Sequence, residues 1–300
     1  MKAHGTQRLD AVPAGNFALL PWWHPVKLGV RVLIWILVAF VAICGLMYLA
    51  QGKLIYPGAG YRVTPEQADA EARAVGLKIW TPEAGGEPTG FILPDFLDPA
   101  PRGTIVLLHG NGEVAWQHAS DAQKLKRAGF RTLLYEYPGY GGRSGSPSER
   151  VIVPDLRAAI RSLDRQGLGP IYLWGQSLGS GVAAAACADE TLPVRGLLLI
   201  TPFDSLPNVG AAFYPFLPVH WLMTDRYDSL ANLAHFAHPI CLARSDQDEV
   251  IPPRLSMNLY AHLPEPKKEI VFVGAHHNDW AYVAPPSWLD EALDFIAPRK

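Results

Sequence analysis

Ile171-Tyr172-Leu173-Trp174-Gly175-Gln176-Ser177-Leu178-Gly179-Ser180-Gly181-Val182-Ala183-Ala184-Ala185-Ala186 decides the fold. A short run rich in β-formers meets Gly-x-Ser-x-Gly, and an alanine-rich run with strong helix propensity follows at once. The stretch reads as strand, sharp turn and helix, with Ser177 at the turn. A serine hydroxyl is a weak nucleophile and needs a base within reach, which the exposed end of a strand allows. The turn is crowded, so Gly175 and Gly179 leave room for the backbone and the neighbouring strand. The following helix aims its first N–H groups, with their partial positive charge, at the place where an oxyanion would form. This context favours a nucleophile over an ordinary glycine-rich turn.

Working outward, TIVLLH (104–109) is a strand apolar throughout, as expected of one buried on both faces. It runs into His109-Gly110-Asn111-Gly112, and residues 116–128 read as a helix. Residues 132–137 form the next strand, and a glycine-rich loop then leads to a helix opened by Pro147-Ser148-Glu149 and ending near Gln166. After the Ser177 unit come a strand at 196–200, an irregular apolar stretch at 206–224, strands at 239–244 and 269–273, and a helix at 286–296. Two short strands, 77–80 and 89–93, open the series. Strands alternating with helices predict an α/β fold with a mostly parallel central sheet, helices on both faces and every strand C-terminus on one edge.

The N-terminal part is different. Residues 1–31 carry Lys2, Arg8, Lys27 and Arg31 against a single acid, Asp10. VLIWILVAFVAICGLMYLA (32–50) then has no charge at all, and at about 1.5 Å per residue it spans about 28 Å as a helix. It reads as a transmembrane anchor. A cleavable signal peptide fits less well, because a cut after Ala50 would put Tyr48 where a small residue is needed. No lipobox surrounds Cys44, since Ile43 precedes it. The cations before the span place the N-terminal tail in the cytoplasm and the rest of the chain across the membrane. Trp22, Trp23 and Trp35 suit an interfacial belt. Residues 51–76 are a connector, and the catalytic domain occupies 77–300.

A formal net charge of −2 without a basic block argues against nucleic acid as a partner. Three cysteines are too few and too irregular for a disulfide framework or a zinc site. No Gly-Lys-Ser/Thr and no Gly-x-Gly-x-x-Gly opens a helix, so nucleotide binding is disfavoured and no metal or cofactor is expected.

A serine nucleophile needs a base, an orienting acid and oxyanion donors. The last strand ends in Gly274-Ala275-His276-His277-Asn278-Asp279, which offers His277 as the base with His276 as the alternative. The preceding strand ends in Ser245-Asp246-Gln247-Asp248-Glu249. Asp248 is favoured as the acid, because Asp246 sits at the strand end where a turn or cap residue is ordinary. Asn111 and Leu178 occupy the positions whose N–H groups would form the oxyanion hole.

HGNG (109–112), EYPGYGGRSGSPSE (136–149), GQSLGSG (175–181), DQDEVIP (246–252) and GAHHND (274–279) together resemble the α/β-hydrolase superfamily. Within it the chain is most similar to hydrolases with one N-terminal membrane anchor, a group that includes protein depalmitoylases and lysophospholipase-like enzymes. The resemblance covers about residues 50–298 and implies Ser177, Asp248 and His277 as the triad, with Asn111 and Leu178 as the hole. Arg244-Ser245 stands where relatives often carry His-Gly.

The stretch 206–224 is a candidate lid whose Phe213, Phe216 and Trp221 would bind substrate. Pro207, Pro215 and Pro218 break its helical spacing and favour an irregular flap over a core helix. The expected function is a membrane-anchored serine hydrolase of carboxylic esters or thioesters, acting on a small-molecule or lipid ester. The alternatives are a serine peptidase of the same fold and an inactive hydrolase fold serving as a binding module.

Overall fold

Eight strands, β1 (Lys78–Trp80), β2 (Gly90–Ile92), β3 (Gly103–Leu108), β4 (Phe130–Tyr135), β5 (Ile171–Gln176), β6 (Val194–Ile200), β7 (Ile240–Ser245) and β8 (Lys267–Phe272), form one sheet in the order β1-β2-β4-β3-β5-β6-β7-β8. The computed structural model describes residues 28–299 apart from Arg62, Ala84 and Pro101. Lys2, Arg8, Asp10, Trp22, Trp23 and Lys27 of the expected cytoplasmic tail lie outside the described residues. β1 and β2 are antiparallel, and β2 meets β4 antiparallel. All the other pairings are parallel, so β3 to β8 end on one edge.

The central strands are apolar on both faces because each face is covered. Along β3, Val106 and Leu108 enter one core cluster while Ile105 and Leu107 enter the other. β5 divides likewise, with Ile171 and Leu173 against Tyr172 and Trp174. This is the two-residue period of a pleated strand between two layers. The helices are α1 (Leu28–Ile55), α2 (Pro65–Ala74), α3 (Ala119–Arg127), α4 (Glu149–Arg165), α5 (Leu178–Cys187), α6 (Leu206–Phe213), α7 (Val219–Leu222), α8 (Ser229–Leu233), α9 (Pro253–His262), α10 (Trp280–Val283) and α11 (Trp288–Ile296). α4, α5 and α9 supply the first cluster, and α2, α3 and α11 the second.

Three expectations shift. β4 begins at Phe130, earlier than position 132, because Gly129 adopts a positive φ of 92° that ends the preceding helix turn and lets Phe130 pair with Gly103. The helix expected from 116 begins as a 3-10 turn, Ala115–His118, before α3. The stretch 206–224 is more regular than its prolines suggested. Pro207 stands in the first turn of α6, where it costs no helical hydrogen bond, and the Ser205 hydroxyl caps that helix by accepting from the Asn208 N–H. Pro218 caps the short α7.

Among the described residues the chain divides into two units, with the boundary between Ile43 and Cys44. α1 extends the uncharged stretch at both ends, and its most apolar window has a mean hydropathy of 2.8 with no residue buried. It is long and apolar enough to cross a membrane. Its last turns belong to the larger unit, where Ile55 and the following Tyr56 are buried in the first core cluster.

Candidate active site

Ser177 stands between β5 and α5 with φ 51° and ψ −117°, a left-handed conformation that a non-glycine residue adopts at a cost. The surroundings hold it there. Its N–H donates to Ile200 O (2.9 Å), and its carbonyl accepts from the Ser180 N–H (2.9 Å) and the Ser180 hydroxyl (2.6 Å). A Cβ on Gly175 would lie 2.4 Å from Gly179 O, and one on Gly179 would lie 2.1 Å from Leu108 O. Both glycines are therefore required by the close approach of β5, α5 and β3, as the sequence implied.

The Ser177 hydroxyl lies 3.0 Å from His277 Nε2, and His277 Nδ1 lies 2.7 Å from Asp248 Oδ2. Asp248 Oδ1 accepts from the N–H groups of Val250 (2.9 Å) and Ile251 (2.6 Å). A carboxylate can only accept, so Nδ1 carries the imidazole proton and Nε2 is left to accept from serine. Asp248 and His277 are buried, while Ser177 is half-buried and reachable.

The two neighbours are engaged elsewhere. His276 is exposed and meets the exposed Glu249 at 3.1 Å. Asp246 accepts from the Gly274 N–H at 2.6 Å and braces the β8 turn. At the Arg244-Ser245 departure, the Ser245 hydroxyl donates to His276 O (2.9 Å) and Arg244 pairs with Glu269 (2.7 Å). The substituted pair thus ties the acid-bearing strand to the histidine loop.

Leu178 is the first residue of α5, so its N–H has no acceptor within the helix. Asn111 follows Gly110 after β3, with its carbonyl and side-chain amide both turned to other partners. Phe213, Phe216 and Trp221 are 52%, 66% and 89% exposed, and the apolar cleft beside them is lined instead by Tyr214, Leu217, Leu222 and Met223 with Met47 and Leu54 of α1.

Two polar networks beneath the β3 loop were not foreseen. Buried His109 contacts Glu136 through Nε2 (2.9 Å) and Gly110 O through Nδ1 (2.8 Å), and Glu136 also accepts from the Ala115 N–H (2.9 Å). The Tyr137 hydroxyl donates to His109 O (2.7 Å). Above this, Glu113 accepts from the Gly110 N–H (2.7 Å), and His118 stands between Glu113 (3.3 Å) and Asp121 (3.1 Å). Burial alone would raise the Glu113 carboxyl, but the bonds from His118 and Gly110 outweigh it and bring it down to about 2. Burial likewise opposes charging His118, yet its bonds to Asp121 and Glu113 hold it up at about 9. His109-Gly110 and Glu136-Tyr137 stand within the motifs quoted above, whereas Glu113, His118 and Asp121 lie close together in the chain without a motif of their own.

The Hydrolase_4 family (serine aminopeptidase, S33) matches residues 99–224. An uncharacterized protein of Mycobacterium tuberculosis is 35% identical over 199 residues, which cover 65% of this chain and 68% of that one. Lysophosphatidylserine lipase ABHD12 of Danio rerio is 31% identical over 176 residues, 52% of this chain but 46% of the lipase, so the chain spans under half of that relative. Among solved structures, an alpha-beta hydrolase from Vibrio vulnificus superposes with a TM-score of 0.59 at 19% identity, over 81% of this chain and 91% of that one. With its sheet order, its strand–serine–helix turn and these likenesses, the chain belongs to the α/β-hydrolase superfamily.

Proposed function

We propose that the protein is a membrane-anchored serine hydrolase that cleaves esters or thioesters carrying an acyl chain, through an acyl-enzyme. What supports this most is the hydrogen-bonded line from Ser177 through His277 to Asp248 at the end of β5. In this reading the Ser177 oxygen attacks the substrate carbonyl while its proton passes to His277 Nε2. Asp248 holds the tautomer and stabilises the imidazolium. The Leu178 and Asn111 N–H groups receive the oxyanion. His277 then returns the proton to the departing alcohol or thiol, and water repeats the sequence to free the acid.

The acyl preference is supported by the apolar helix α1, by the exposed aromatic flap, and by the lipase among the relatives. α1 would tether the enzyme, with the catalytic domain on the non-cytoplasmic side. A fluorophosphonate should label Ser177 and no other serine, and the labelled protein should lose hydrolysis of a panel of lipid esters, acyl-thioesters and p-nitrophenyl esters. Label elsewhere would remove the assignment, and activity on peptide amides alone would convert it to a peptidase. A C-terminal reporter that is active only in the cytoplasm would invert the orientation.

A further inference from the structure

Two polar atoms of Asn111 in the β3 loop make three hydrogen bonds to the end of the apolar helix, to the turn after it and to the loop bearing Tyr140. The Asn111 side-chain amide donates to Ile55 O (3.2 Å). The Asn111 carbonyl accepts from the Gly58 N–H (3.0 Å) and from the Tyr140 hydroxyl (2.9 Å). Ile55 is the last residue of α1, and Gly58 lies in the 3-10 turn Pro57–Gly60 that follows it. The fit is close, since a Cβ on Gly58 would stand 2.4 Å from Tyr140 Cε1 and 2.9 Å from Asn111 O.

The turn is itself anchored on its other side. Tyr56 is 2% exposed, and its hydroxyl donates to the Asp225 carboxylate and lies 3.0 Å from the Tyr227 hydroxyl. The chain leaving α1 is therefore a fixed part of the larger unit, wedged between the β3 loop and the segment that follows the flap.

We infer that residues 55–58 are a positioning element of the active site: through Asn111 they fix the oxyanion loop. The inference rests on the proposed roles of Ser177 and Asn111. An oxyanion donor accelerates a reaction only if it is in place before charge develops, because reorganising it later restores the barrier. Displacing such a group by about 1 Å costs about 100-fold in rate. Hydrogen bonds on both the carbonyl and the amide of Asn111, with a steric stop at Gly58, restrict the loop to one arrangement. In this proposal residues 55, 58 and 140 act through Asn111.

The test uses the full chain in detergent micelles with soluble p-nitrophenyl acetate, so that access to a membrane substrate does not enter. It also uses a trifluoromethyl ketone. The Ser177 oxygen adds to the ketone carbon, the serine proton moves to His277, and the carbonyl oxygen becomes an oxyanion held in the same hole. Asn111→Ala and Gly58→Ala should each lower kcat by about 10- to 100-fold with KM within about twofold, and should raise the ketone Ki in proportion to the loss in kcat/KM. The double variant should be no worse than the poorer single one, because both break one clamp. Gln51→Ala removes bonds to Leu222 O and Thr224 but none to Asn111, and it should leave kcat unchanged.

A lowered Tm with kcat and Ki intact would overturn the inference and leave the segment as scaffold. So would a fall in kcat with an unchanged ketone Ki. Wild type that neither hydrolyses the ester nor takes up fluorophosphonate at Ser177 would overturn the proposed function as well, whereas an active, labelled wild type with unaltered variants overturns only the positioning role.

Discussion

α1 and α5 are both apolar along nearly their whole length, and their surroundings are opposite. Every residue of α5 is buried, whereas Ile55 is the buried residue of α1. Leu33, Trp35, Leu37 and Val41 of α1 are 60% to 71% exposed. The difference lies in side-chain size rather than hydropathy. α5 is built largely from Gly, Ser and Ala, so its backbone can approach β3 and β5 and bring Ser177 to the strand ends. α1 carries Leu, Ile, Val, Phe and Trp all round and has no polar face to turn to water. By length and composition such a helix is able to cross a bilayer.

The largest effect that separates the two helices is catalytic. Ser177→Ala, immediately before α5, should lower kcat by about 10⁴- to 10⁶-fold if the three residues act as a unit. Leu37→Ala in α1 should leave hydrolysis of a soluble ester unchanged. Within the same site Asp248→Asn should lose about 10⁴-fold, because the wrong histidine tautomer would be held, while Asp246→Asn should lose far less. Steady-state rates on p-nitrophenyl butyrate decide both pairs, and equal losses at Asp246 and Asp248 would move the acid role.

The second contrast is steric. A Cβ on Gly181 of α5 would lie 2.6 Å from Phe203 Cζ and 2.9 Å from Tyr227 Cβ, whereas one on Gly45 of α1 would meet nothing within 4 Å. Gly181→Ala should therefore cost about 1–3 kcal/mol through overpacking, despite its better helix propensity. Gly45→Ala should cost nothing. Denaturant unfolding in detergent measures both, and a neutral Gly181→Ala would mean that Phe203 gives way freely.

What could be read in advance follows the same division. The β5–α5 turn, the strand order of the motifs, and the places of Asp248 and His277 were legible because each is announced locally by a strand end and a short loop. The register of β4 was not, because it depends on the pairing of Phe130 with Gly103 on another strand. α6 was hidden because Pro207 looks like a breaker unless Ser205 is seen to cap the turn before it. The contacts of Glu113 with His118, of His109 with Glu136, and of Asn111 with Ile55 and Gly58 had no local sign. The last two are set when the β3 loop folds against segments distant in the chain, and the first, between residues five apart, when the 3-10 turn at 115–118 carries His118 back to Glu113.

A third prediction concerns one of those hidden networks. His118 is held near 9 against an ordinary value of 6.5, so its contribution to stability is complete below about 6.5 and is lost as pH rises through 9. Glu113 has the opposite sign: held near 2 against 4.5, it contributes above about 4.5 and loses this as pH falls towards 2. The domain should be steadiest between those limits. Stability should decline from pH 7 to 9 by on the order of 1–2 kcal/mol from His118. His118→Gln should flatten that decline, and unfolding midpoints across the range would show it. A variant with the wild-type slope would place the titration elsewhere.

The smallest expected effect on folding falls on the flap, and it sharpens the contrast between the two helices most directly. Phe213, Phe216 and Trp221 are largely exposed, like the apolar side chains of α1 and unlike anything in α5. The last turns of α1 line a cleft with Leu217, Leu222 and Met223, so the exposed flap belongs to the same end of the larger unit as the helix exit. If that end meets a bilayer, the flap's aromatic residues lie where an acyl chain would leave the lipid. Each buried CH₂ contributes about 0.8 kcal/mol, so a few contacts are enough to discriminate chain lengths severalfold. Replacing the three residues by serine should change unfolding free energy by no more than about 0.5 kcal/mol per site, since exposed side chains carry little of the fold. The same variant should lose activity severalfold on long-chain esters in vesicles and keep it on acetate or butyrate esters. Deleting residues 1–43 should lower activity on bilayer substrate while sparing a soluble ester, because a tether raises effective concentration without adding a contact. If the wild type prefers acetyl esters and the serine variant behaves alike at every chain length, the flap is an ordinary surface and the enzyme is a small-ester esterase.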